Sequence, residues 1–171
     1  MNEIMLKDRK VDLMEKDHLE SDSNKKRGVI PQLKAEDVQS NWESIMDQVQ
    51  NLYPIIIERR KQNESRTFLL NEKLVQQLLQ SYSFTMVAFP EEDDSITVGV
   101  DELELYANGK NKETAVENLI EDIFEYAIDF FGHPERYLKA PNRRHHFSYL
   151  LKVLMCKNSD QIKQMLMGEA K

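Results

Sequence analysis

The chain has 171 residues, 40% of them hydrophobic and 31% charged, with a net charge of −7 at pH 7. This is an ordinary globular balance, with length enough for one or two small domains. Five glycines argue against a phosphate-cradling loop, and the lone Cys156 excludes an internal disulfide or a cysteine zinc site. No apolar run reaches the ~18–20 residues of a membrane span. The start, MNEIMLKDRK, has no apolar signal core, so a cytoplasmic protein without a membrane partner is expected.

Residues 1–28 are dense in charge and lack a sustained period, which predicts a disordered arm closed by Lys25-Lys26-Arg27. Residues 29–80 read as a first module. Val38, Trp42, Ile45, Met46, Val49 and Leu52 fall at helical spacing, and Pro54-Ile55-Ile56-Ile57 favours a buried strand. Glu58–Ser65 is a polar turn carrying Arg59, Arg60 and Lys61, followed by a short strand over Thr67–Leu70. Asn71 then caps a helix bearing Leu74, Val75, Leu78 and Leu79. A module this small buries little of its own surface, so Trp42, Ile45, Met46 and Val49 are expected to complete its core in a homodimer.

Residues 82–133 read as an acidic β-β-β-α unit. Strands are expected over Phe84–Phe89, over Ser95–Val100 and through Leu103, Leu105 and Ala107, with Asn108-Gly109 as a turn. Asn111 caps the strongest helix, whose apolar stripe runs through Ala115, Val116, Leu119, Ile120, Ile123, Phe124, Ala127, Ile128 and Phe131 and stops at Gly132 and Pro134. Residues 134–171 form a helical C-terminal segment: one turn over Glu135–Ala140, a helix starting at Pro141-Asn142, and a last helix capped by Ser159. Charge follows the same divisions. Residues 1–81 hold 13 Lys/Arg and 14 Asp/Glu, 82–133 hold 2 and 13, and 134–171 hold 8 and 3. Either separate segments meet separate partners, or the acidic middle and basic end neutralise one another in the fold.

Three stretches resemble known families. Asn41-Trp42, Pro54-Ile55-Ile56-Ile57-Glu58-Arg59-Arg60 and Leu69-Leu70-Asn71-Glu72 resemble the prevent-host-death (Phd/YefM) antitoxins over residues 30–79. The segment from Ala107 to Leu119 resembles HicB-type antitoxins, which have a truncated RNase-H-like fold without nuclease activity. The segment Tyr137–His146 resembles a RelB-like antitoxin family. Together the resemblances imply an α+β antitoxin of a type II toxin–antitoxin pair. It would dimerise through the first module, bind operator DNA there, and mask a small basic toxin with the rest. DNA contacts would come from Lys34, Asn41, Arg59, Arg60 and Lys61. A stand-alone transcriptional regulator is the alternative, and a ribonuclease using the RNase-H-like unit a further one.

Other candidate chemistry reads blandly. Glu91-Glu92-Asp93-Asp94 is one solvated turn, whereas a metal nuclease site needs carboxylates from separate strands. His145 and His146 are adjacent, so on a helix they do not share a face as two metal ligands must. Arg143-Arg144 at a helix start opposes the helix dipole, which marks the pair for an acidic patch of the same chain or for a partner. No enzyme activity, metal or cofactor is expected.

Overall fold

The structure is a computed structural model that describes residues 30–58 and 64–168. The predicted arm over 1–28 and the turn residues Arg59, Arg60 and Lys61 lie outside the described residues. The chain divides into two compact units, Met1–Leu74 and Val75–Lys171. Each contains a three-stranded sheet, and the fold is α+β.

In the first unit, β1 (Gln32–Lys34) leads into α1 (Ala35–Ser40) and α2 (Trp42–Gln50), then β2 (Ile55–Glu58) and β3 (Thr67–Leu69), with α3 (Glu72–Leu78) crossing the unit boundary. β2 is central, parallel to β1 and antiparallel to β3. Nothing in the pattern of Gln32-Leu33-Lys34 announces a strand. It forms because Leu33 aligns with Ile57 and the Ile56 N–H donates to Pro31 O at 3.0 Å. Parallel neighbours require a crossover, and α1 with α2 supplies it. Ile45, Val49 and Ile55 are buried against Leu33, Val38, Ile57 and Leu69.

The helical spacing from Val38 to Leu52 reads as one helix, but the chain breaks it at Asn41. The Asn41 backbone N–H and its Nδ2 both donate to Asp37 O, at 3.2 and 3.0 Å. These bonds close α1 and leave Asn41 as the first residue before α2. At the far end of α2, Tyr53 N–H donates to Gln48 O and Leu52 N–H to Val49 O, with Leu52 at φ 67°. This is a Schellman motif whose left-handed position holds leucine where glycine is usual.

In the second unit, β4 (Met86–Pro90), β5 (Ile96–Val100) and β6 (Leu105–Gly109) form an antiparallel sheet in chain order. They are followed by α4 (Lys112–Gly132), α5 (Pro134–Lys139), α6 (His146–Leu154) and α7 (Ser159–Met167). Asn111 caps α4, its Oδ1 accepting from Thr114 N–H at 2.9 Å, and Asn71 Oδ1 accepts from Lys73 N–H at 2.8 Å at the start of α3. The expected Asn108-Gly109 turn is instead the last part of β6, where these residues align with Thr97 and Ile96. Glycine is required there because a Cβ would lie 2.4 Å from the Ala115 backbone N, where the first turn of α4 meets the strand. Asn118 Nδ2 fastens the same contact by donating to Asn108 O at 2.9 Å.

α4 buries Ala115, Val116, Leu119, Ile120, Ile123, Ala127 and Phe130. Burying each of Leu119, Ile123 and Phe130 contributes about 1.5–3 kcal/mol. The stripe rotates as it advances, so Phe130 is buried while Phe124 and Ile128, expected in the core, are exposed. Leu150 and Val153 of α6 and Ile162 and Leu166 of α7 join Val98, Val100 and Ala107 of the sheet in the same core. The segments 82–133 and 134–168 therefore fold around common contacts. The helix expected from Pro141 begins only at His146, after a run of turns. The final helix is capped one residue earlier than expected: Asn158 Oδ1, not Ser159, accepts from Gln161 N–H at 3.0 Å. No helix among the described residues is long and apolar enough to cross a membrane.

Candidate functional site

The solvent face of α4 carries Glu113, Glu117, Glu121, Glu125 and Asp129, each four residues after the last, all exposed. Residues at this spacing are neighbours on a helix surface, and each like-charged pair opposes the helix by roughly 0.2–0.5 kcal/mol. Among the described residues, none of Glu113, Glu117, Glu121 or Glu125 has an ion pair. Only Asp129, at the end of the ridge, is partnered. It accepts from the Tyr137 hydroxyl and pairs with His133 Nδ1 at 3.1 Å, and these contacts, the tyrosine's first, hold its carboxyl below the usual range. The ridge is thus a line of negative charge whose four glutamates form no ion pair among the described residues.

Beside the ridge lies a groove of about 710 Å³, bounded by α4 and by the turn from α6 into α7. Ile120, Phe124, Leu154 and Ile162 supply its apolar lining, Glu117 and Glu121 its α4 rim, and Lys157, Asp160 and Lys163 the charged groups of the opposite wall. Phe124 is 43% exposed and Leu154 37%. Cys156 also lines it, and burial pushes its thiol pKa up, which disfavours the reactive thiolate.

Next to the far end of α4, Tyr126, Phe130, Tyr137 and His146 pack as an aromatic cluster, with Phe130 and Tyr137 stacked at 4.8 Å. His146 is fully buried, its Nδ1 is 2.8 Å from the Tyr126 hydroxyl, and its Nε2 has no partner among the described residues. Burial, reinforced by the charges of His145 and Arg143, lowers its pKa to about 4. The turn Glu91–Asp94 is occupied with itself: Asp93 Oδ1 accepts from Ser95 Oγ at 2.6 Å and from Ser95 N–H at 3.1 Å, which lowers its pKa. Among the described residues, no group of three or more His, Cys, Asp or Glu side chains converges as metal ligands would.

The residues singled out from the sequence are scattered by the fold. Arg143 lies 3.8 Å from Glu104 Oε2, so it answers an acidic residue of its own unit, while Arg144 is exposed. In the first unit, Lys34 is exposed at the end of β1. Asn41 spends its amide on Asp37 O and on Ser40 Oγ at 3.1 Å. Ile45 and Val49 are 2% and 4% exposed inside the unit's own core, so neither offers surface to a second copy. Trp42 is 50% exposed and Met46 half-buried. The acidic ridge was visible in the sequence as glutamate at every fourth position. The groove was not, because Phe124 and Ile128 were counted with the core.

Residues 30–168, which include the described parts of both units, match the Phd-like family described as the antitoxin of RelE/RelB toxin–antitoxin systems. The chain belongs to this antitoxin family. A crystal structure from Syntrophomonas wolfei subsp. wolfei, described as an antitoxin part of a proposed toxin/antitoxin system, is similar with a TM-score of 0.69 and 28% identity. The similarity covers 80% of the antitoxin and 96% of that chain. Among curated proteins, none matches. The RelB-like segment Tyr137–His146 falls inside the family match, as do the acidic ridge and the groove. An antitoxin implies a cognate toxin.

Proposed function

We propose that the antitoxin binds and neutralises a small basic toxin through its second unit and represses its own operon through its first, in the cytoplasm and without a catalytic step. The observation that carries the toxin-binding half is the line of glutamates on α4, none of which forms an ion pair among the described residues. Holding like charges in register on a rigid helix costs stability, and a cationic partner recovers that cost. A toxin rich in Lys and Arg is steered toward such a surface and oriented by it.

The DNA-binding half rests on the Phd/YefM-like residues of the first module. Trp42, Tyr53 and Phe68 are all 50–60% exposed on this small unit, and a second copy would cover them. With Ile45 and Val49 buried internally, the homodimer contact falls to Trp42 and Met46. Lys34, Arg59, Arg60 and Lys61 would each occur twice in the dimer and neutralise phosphates of operator DNA. Asn41, with its amide used in capping, would contribute only its remaining oxygen. Arg144 is a second candidate for partner contact, and Arg143 follows only if it leaves Glu104.

The test is growth rescue. The reading frame next to the antitoxin's own should encode a short basic chain whose expression arrests growth, and co-expression of the antitoxin should restore it. Arrest that persists despite a soluble antitoxin at equal level would refute neutralisation.

A further inference from the structure

We propose that the groove between α4 and the α6–α7 turn is the seat of one amphipathic helix of the toxin, with its apolar side on Phe124 and Leu154 and its Lys/Arg edge along Glu117 and Glu121. This rests on the toxin-binding reading and names the surface that performs it.

Three features of the groove select this occupant. The first is size and place: an open space of about 710 Å³ alongside the 21-residue α4 suits another helix lying against it. The second is its exposed apolar content. Phe124 and Leu154 are both more than a third exposed, and Ile128, one turn beyond Phe124, is 55% exposed. An incoming apolar ridge at i and i+4 would meet Phe124 and Ile128, which have the same spacing. The third is charge. The α4 rim is acidic and continues as Glu113 and Glu125 beyond the groove, whereas the opposite wall presents Lys157 and Lys163 against the single acid Asp160, a net positive charge. Walls of opposite sign admit an amphipathic helix in one orientation, its basic edge toward α4. A second copy of the antitoxin fits worse, since its own α4 would set glutamates against glutamates.

Two double variants of the full-length antitoxin test this against the basic chain encoded by the neighbouring reading frame, used as the probe. Glu117→Lys with Glu121→Lys reverses the rim. Glu91→Lys with Glu92→Lys makes the same change of net charge in the exposed β4–β5 turn. All four side chains are exposed, so neither variant threatens folding. The rim variant should bind about 10- to 100-fold more weakly, and the turn variant within about threefold of wild type. Phe124→Ser, which removes the apolar anchor and leaves charge alone, should weaken binding by about tenfold or more. Equal losses in the rim and turn variants would reduce the effect to net charge and overturn the groove. Tight binding by the wild type with no loss in the rim variant would also overturn it, while leaving neutralisation intact. No binding by the wild type at low salt would remove the toxin-binding reading and the groove with it. A change in the antitoxin's own mass on rim reversal, seen by light scattering, would make the groove a contact between copies and refute the toxin seat.

Discussion

His146 makes the stability of the second unit depend on pH in a calculable way. In the unfolded chain a histidine takes up its proton near pH 6.5, whereas the buried ring does so only near 4. Between these values the unfolded state binds a proton that the folded state refuses, so stability must fall as pH drops from about 6.5 to about 4, and level off below. The full difference is worth ~3 kcal/mol, and about 1–3 kcal/mol is expected once solvent near Arg143 and Glu104 is allowed for. Asp93 and Asp129 have lowered pKa values, so whatever they contribute is lost only below about pH 5, which overlaps the acid end of this window and leaves the fall between about 6.5 and 5 to the histidine. The perturbation is His146→Phe, which suits the ring cluster of Tyr126, Phe130 and Tyr137. It forfeits the Tyr126 hydrogen bond at a pH-independent cost of about 1 kcal/mol. Urea unfolding followed by helical circular dichroism from pH 7 to 4 should show the decline in wild type and its absence in the variant. The lone Trp42 belongs to the first unit, so its fluorescence should not show the decline. A wild type flat over this range, or a variant with the same decline, would refute the assignment.

Three further outcomes concern the first unit. Trp42→Asp should convert a dimer to a monomer in light scattering, and an unchanged mass would put the contact elsewhere. Leu52→Gly should raise the stability of this unit by about 1 kcal/mol, read by Trp42 fluorescence in urea, because glycine bears no penalty at φ 67°; a loss would show that the leucine side chain is needed for packing or dimerisation. Binding to the upstream promoter fragment should weaken steeply with salt, and Arg59→Ala with Arg60→Ala should flatten the slope by roughly two to four if each contacts one phosphate in a dimer; equal slopes would move the contact to Lys25-Lys26-Arg27.

What the sequence disclosed depended on how local the cause was. α4 was legible from its cap to its end because the Asn111 side chain and the spacing of Leu119 and Ile123 are properties of the segment itself. β1 was not, since three residues become a strand only when Ile57 and Glu58 arrive beside them. Asn158 and Ser159 are both competent caps, and the choice between them turned on a backbone angle that composition does not fix. Asn108-Gly109 carries the composition of a turn, yet its glycine answers the approach of Ala115 from a later element. The groove required knowing where α7 lands, and for that reason Phe124 and Ile128 were assigned to the core rather than to a surface. At Asn41 a position singled out for DNA contact also serves as the cap that separates two short helices.

The measurement that bears most directly on neutralisation through an acidic surface is the association rate of antitoxin and toxin as a function of salt. If the unpaired glutamates of α4 steer the encounter, the rate should fall about tenfold or more between 50 and 300 mM salt, while dissociation changes little. A rate that does not vary with salt, in a complex that still forms, would contradict a charge-led mask on the second unit.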